Sequence, residues 1–145
     1  MIVGGCRCGA CRYTLAQAEL PPVYCCHCLD CQSWSGSAFV EQALIAPDVI
    51  SAAGPVVVDE LSNPSGSVGI QRTCGSCRSR LWSENAHRPG MALLRAGTLD
   101  RSEEVIPRAH IWVKRKQHWL VLPDDVAVFD ENAPPAELIS ILLRR

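Results

Sequence analysis

Several features that would settle a function outright are scarce in this sequence. Net charge is one: 14 Lys+Arg stand against 15 Asp+Glu, a formal −1 at pH 7, and the pI lies near 6.4. That balance leaves no electrostatic footprint for a phosphate backbone or an anionic lipid surface, so no nucleic-acid or membrane partner is expected. Long apolar runs are also missing. Stretches such as Trp119 to Leu122 fall well short of the ~20 residues that span a bilayer. The opening Met1-Ile2-Val3-Gly4-Gly5-Cys6 carries neither a basic nor an apolar leader region, which points to a cytoplasmic location and reducing conditions. Aromatic residues make up 6% and hydrophobic residues 48% of the chain, ordinary for a globular protein. At 145 residues the chain is expected to form one domain over 1–145, long enough to bury about 68–70% of its unfolded surface without staples.

What is abundant is cysteine. There are nine, about 6% of the chain, below the ~8–10% typical of small disulfide scaffolds. In a cytoplasmic chain they favour metal or redox chemistry over disulfides. They fall into three clusters: Cys6, Cys8 and Cys11; Cys25, Cys26, Cys28 and Cys31; Cys74 and Cys77.

Ten glycines and ten prolines punctuate short segments rich in Val, Ile, Thr and aromatics, which favours a mainly β fold. The expected strands are Arg12 to Leu15, Ala38 to Ile45, Val56 to Leu61, Val68 to Thr73, Arg80 to Ser83, Ala92 to Ala96, Ala109 to Val113 and His118 to Leu122. One segment reads as helix. Pro134-Pro135-Ala136-Glu137 suits a first turn, and Leu138, Ile141 and Leu142 then share a face.

A Cys-x-x-Cys pair bends the chain so that two thiolates meet one tetrahedral Zn²⁺ at ~2.3 Å, and two such pairs close a structural site. Cys74-Gly75-Ser76-Cys77 is one such knuckle. By spacing alone its partners are Cys6 with Cys8, Cys8 with Cys11, or Cys28 with Cys31. The run Cys25-Cys26-His27-Cys28-Leu29-Asp30-Cys31 differs in kind. Extended backbone at 26–28 turns Cys26 and Cys28 one way and Cys25 and His27 the other. Cys26, Cys28 and Cys31 then form a three-thiolate cup, and three protein ligands leave a metal an open position, the mark of a catalytic site. His27 is a candidate fourth ligand, but the geometry favours a place beside the cup. A redox reading of Cys28-x-x-Cys31 is weaker, because no βαβ pattern surrounds it.

Three segments carry a family likeness: Gly4-Gly5-Cys6-Arg7-Cys8-Gly9-Ala10; Cys26 through Phe39, reading CHCLDCQSWSGSAF; and Pro107-Arg108-Ala109-His110-Ile111-Trp112-Val113 followed by Trp119. With the Cys74/Cys77 knuckle between them, the chain resembles the glutathione-dependent formaldehyde-activating (GFA-domain) proteins, most strongly over residues 4–120, with 121–145 as a C-terminal extension. The resemblance implies a β-tent, a complex coiled β-sandwich built around a structural zinc, here with the short C-terminal helix. It implies that Cys6, Cys8, Cys74 and Cys77 hold that zinc, that Cys26, Cys28 and Cys31 hold a second at the active site, and hence two Zn²⁺ per chain. It further implies a carbon–sulfur lyase-type activity on a small thiol such as glutathione or an adduct of it, as in S-(hydroxymethyl)glutathione synthase. The sequence departs from the family pattern at Cys11, where an aliphatic residue is usual, at Arg78, where glycine commonly follows the knuckle, and at the extra Cys25.

For such chemistry the candidate proton donors are His27 and His110, or water, although His110 reads first as a hydrogen-bonded structural histidine. Trp34, Ser35 and Gly36 are candidates to line the substrate pocket, with Trp34 equally suited to a core. Arg108 is a candidate for a substrate carboxylate. His87, His118 and Lys114-Arg115-Lys116 read as solvated surface. The alternative to an enzyme is a non-catalytic zinc module that binds a protein. Methionine-sulfoxide reduction fares worse, since it needs a nucleophilic cysteine on a late strand and none follows Cys77.

Overall fold

The computed structural model describes residues 1–144 and is mainly β, with two short helices. It resolves into two compact units whose chain segments interleave: one of Met1–Pro21 and Ala43–Val105, the other of Pro22–Gln42 and Ile106 onward.

In the first unit, β1 (Ile2–Gly5), β2 (Arg12–Leu15) and β5 (Ile50–Ala53) form an antiparallel sheet, with Ile2 opposite Leu15 and Arg12 opposite Ala53. Along β1 and β2 buried and less buried residues alternate, the period-2 pattern of a strand with one covered face. A second antiparallel run follows chain order: β6 (Val56–Ser62), β7 (Val68–Cys74), β8 (Arg80–Asn85) and β9 (Ala92–Arg95). Ile2, Tyr13, Leu15, Leu81, Leu94 and Leu99 form the unit's core. Two tight turns that end β1 and β7 carry Cys6, Cys8, Cys74 and Cys77.

The second unit is built on β3 (Val23–Cys26), paired in parallel with β10 (Ala109–Ile111), which pairs in parallel with β11 (Ala127–Val128). All four residues of β3 are buried, as expected for a strand in a parallel ladder covered on both sides. A helix, α1 (Leu29–Ser35), follows directly, and β4 (Val40–Ile45) carries the chain back into the first unit. The C-terminal helix α2 (Pro135–Leu143) has proline in its first turn and buries Leu142. Arg108 donates to the Leu142 carbonyl and, at 2.7 Å, to that of Arg144, so its guanidinium closes the end of this helix.

Three expectations need correction. Residues 118–122 form no strand. The segment lies in turns and coil, with Trp119 and Val121 exposed, because a continuous apolar run without alternation found no ladder. Strand β10 stops at Ile111, since Trp112 takes a left-handed backbone (φ 58°) and Val113–Arg115 form a single 3₁₀ turn. A second helix, α1, stands where none was expected. No helix among the described residues is long and apolar enough to cross a membrane.

Candidate metal centres

The first unit gathers Cys6, Cys8, Cys74 and Cys77 so that their sulfurs all lie within 4.8 Å of one another. The Cys6 and Cys8 sulfurs are 3.5 Å apart, and those of Cys8 and Cys74 3.9 Å apart. Four thiolates around a tetrahedral Zn²⁺ at ~2.3 Å are separated by about 3.8 Å, so the sulfurs already stand near the spacing the ion needs. Backbone geometry sets this. Cys6 N–H donates to the Cys11 carbonyl (3.0 Å) and Cys11 N–H to the Cys6 sulfur (3.2 Å). In the other turn, Arg78 N–H donates to the Cys74 carbonyl (2.9 Å) and Cys77 N–H to the Cys74 sulfur (3.5 Å). Ser79 ties the two turns together: its Oγ accepts from Arg7 N–H (3.2 Å) and sits 3.1 Å from the Cys77 sulfur, to which it donates.

These donors favour ionisation of Cys74 and Cys77, while Cys8, beside the Cys6 and Cys77 sulfurs, is raised to about 11. The Ser79 hydroxyl, followed by backbone N–H groups, draws Cys77 down to about 5. The Cys77 N–H is the main cause holding Cys74 below the ordinary thiol range. Cys11 is buried within hydrogen-bonding reach of Cys74 and Cys6, and burial pushes its thiol up to about 11. Arg78 keeps the knuckle's hydrogen bonds intact but adopts the left-handed conformation (φ 64°) that glycine takes without strain.

The second unit holds Cys26, Cys28 and Cys31, again with all sulfurs within 4.8 Å. Cys26 ends β3. Cys28 is extended (φ −63°, ψ 156°) and serves as the N-cap of α1, its sulfur accepting from Cys31 N–H at 3.4 Å. Gln32 locks the approach: its Nε2 donates both to the His27 carbonyl (2.7 Å) and to the Arg115 carbonyl (2.8 Å). No further His, Cys, Asp or Glu joins this group among the described residues. Two of the cup's thiols, Cys26 and Cys28, resist ionisation. Cys26 is raised mainly by its hydrogen bond with Cys31, and Cys28 mainly by burial. Three converging sulfurs are a donor set that fits a soft divalent ion, whose positive charge favours thiolate formation.

His27 is fully buried. Its Nε2 lies 2.8 Å from Nδ1 of His110, its ring packs at a tilt against Phe39 with centroids 5.2 Å apart, and its Nδ1 has no partner. Burial is the first cause that lowers His27 to about 4, and it also lowers His110. Both rings are therefore neutral near pH 7. The tautomer that leaves no donor unused places the proton on His27 Nε2, with His110 accepting. Cys25 lies in β3 opposite His110, wholly buried, its thiol raised to about 12 by burial and then by the charge of Glu41. Trp34 and Ser35 sit three and four residues beyond Cys31, on the same face of α1. Both are exposed. Gly36 is the left-handed C-cap of that helix (φ 67°), its N–H returning to the Gln32 carbonyl at 2.9 Å. Sequence reasoning gave no role to Gln32, Gln42 or Ser79, since their importance lies in which sulfur or carbonyl the fold places beside them.

A family model described as glutathione-dependent formaldehyde-activating enzyme matches residues 1–115. The chain belongs to this family. The GFA match contains all seven clustered sulfurs and ends within the 3₁₀ turn at Arg115. A solved structure of a Rhodobacter sphaeroides protein is similar in fold, with a TM-score of 0.53 at 15% identity, over 72% of this chain and 97% of that one. No curated protein matches.

Proposed function

We propose that this GFA protein is a zinc-dependent carbon–sulfur lyase-type enzyme that joins a small thiol such as glutathione to an aldehyde, or releases it from the adduct. The observation that carries the reading is the three-sulfur cup of Cys26, Cys28 and Cys31, which has no fourth protein ligand among the described residues. Cys26, Cys28 and Cys31 would hold a zinc ion with one position open, and such an ion would supply the lowering of a substrate thiol's pKa that makes the thiolate available near neutral pH.

The chain's own residues supply the rest. The three cysteines and the Gln32 clamp fix where the thiol sits. The Leu29 and Trp34 side chains, both exposed on α1, offer apolar surface beside it. As the thiolate sulfur bonds to the aldehyde carbon, the carbonyl π pair moves to oxygen, which then takes a proton. His27 is fully buried, with its Nε2 engaged by His110, so its part is to position. The proton comes from water or from His110, which keeps a small exposed edge. Arg108 is engaged by the carbonyls of α2, which leaves recognition of a substrate carboxylate to other groups.

The test is direct formation of S-(hydroxymethyl)glutathione from glutathione and formaldehyde, followed by NMR, in the zinc-loaded protein and in Cys28→Ser. Acceleration by the parent protein that disappears in the variant supports the proposal. No acceleration by a protein carrying two zinc ions leaves the non-catalytic zinc module as the function.

A further inference from the structure

Gln42 is a buried glutamine in β4 of no obvious use to a strand, and such a side chain is costly to bury unless its amide is satisfied. Its two ends are engaged differently. Tyr24, buried in β3, donates its hydroxyl to Gln42 Oε1 at 3.0 Å, and Gln42 Nε2 donates to the Cys31 sulfur at 3.8 Å. Because the phenol hydrogen occupies Oε1, the amide presents its N–H to the sulfur. The flipped amide would set oxygen lone pairs against a thiolate. Tyr24 thus fixes the sense of the dipole that Cys31 meets.

We propose that Gln42, oriented by Tyr24, is a positioning residue that polarises the Cys31 thiolate and so sets how readily the open position of the cup takes an external thiol. The inference rests on the reading of Cys26, Cys28 and Cys31 as a metal site. Three thiolates on a divalent ion carry a net −1, and a fourth thiolate makes it −2. An N–H donor on one sulfur spreads that charge into the protein and weakens the sulfur's donation to the metal, leaving the metal a better acceptor for the incoming thiol. In the four-sulfur site the comparable donors are the Cys11 and Cys77 N–H groups and the Ser79 hydroxyl. The cup instead uses a side-chain amide, which can be exchanged without disturbing the backbone.

The experiment loads the full chain with Co²⁺ and follows the sulfur-to-cobalt charge-transfer band while 2-mercaptoethanol is added, in the parent protein and in Gln42→Leu, Gln42→Glu and Tyr24→Phe. The parent takes two ions. In Gln42→Leu the second site's Co²⁺ affinity falls by about 10-fold to 100-fold, the usual effect of losing a hydrogen-bond partner behind a ligand. Its band moves to lower energy and about tenfold more thiol is needed, while the four-sulfur site stays unchanged as an internal control of folding. Gln42→Glu, similar in shape but with a carboxylate at the sulfur, loses at least as much. Tyr24→Phe, which only frees the amide, loses less. Second-site affinity, band position and thiol titration that match the parent in folded Gln42→Glu and Tyr24→Phe overturn the proposal, because a merely space-filling glutamine predicts that result. A parent protein that binds a single Co²⁺ overturns the metal-site reading itself, and is told apart by its stoichiometry.

Discussion

Cys74 and Cys77 stand in surroundings that favour their ionised forms, whereas Cys26 and Cys28 stand in surroundings that oppose it. The difference follows from how each site is built. The four-sulfur site joins turns from distant parts of one unit, Cys8 and Cys74 being 66 residues apart, and surrounds the sulfurs with N–H and O–H donors. An ion bound there closes a long loop, so its binding free energy becomes folding free energy. The cup draws all three sulfurs from 26–31, a local segment already held by β3, α1 and Gln32. An ion bound there has little chain left to order, and its energy is free for chemistry.

The largest effect should come from the first site. Cys74→Ser is expected to bind one zinc ion fewer and to lose the cooperative unfolding of the first unit, as shown by metal content and thermal melting. A variant that melts like the parent would erase the distinction between the sites. Next is Gly54→Val. Gly54 has a φ of 102° and lies against the Ala10 carbonyl, in the turn that carries Cys8 and Cys11, so any Cβ must displace that turn. A loss of about 3 kcal/mol in urea unfolding is expected, with weaker metal retention at the four-sulfur site and none of the effect at the cup. Smaller still is Cys28→Ser. One ion should be lost while far-UV circular dichroism is retained, because serine can cap α1 in place of the thiol. Unfolding of this variant would make the cup structural. Last and opposite in sign, Arg78→Gly should stabilise the protein by about 1 kcal/mol in the same assay by relieving the left-handed backbone at the knuckle.

Much of the fold was legible from alternation. The expected strand over Arg12 to Leu15 coincides with β2, and those from Val56, Val68, Arg80 and Ala92 end within two residues of the observed ones. Strands β2, β7 and β9 alternate in burial, whereas β6 and β8 do not and were legible from β-prone residues between turn signals. Strand β3 was missed because Val-Tyr-Cys-Cys is buried on both sides and shows no period. Helix α1 was missed because its seven residues carry no apolar stripe and its N-cap is a thiol, a residue type absent from the usual capping set. The grouping of Cys6 and Cys8 with Cys74 and Cys77, which spacing alone left open among three pairings, is the one the structure draws together. Gln42 and Ser79 could not be found by pattern, since a polar side chain in a strand or turn acquires its meaning only from what lies across from it.

The interleaving of the two units has a consequence for biosynthesis. Cys26, Cys28 and Cys31 are translated before the first unit is half made, yet β10, the strand that pairs with β3, does not exist until residue 111. For some eighty codons the nascent chain therefore displays a soft-metal trap in a segment without its flanking ladder, while the four-sulfur site can close as soon as Cys77 emerges. The order in which the two cysteine groups could take up a metal ion is thus set by the order of synthesis, with the thiols of 26–31 exposed until the later strand arrives.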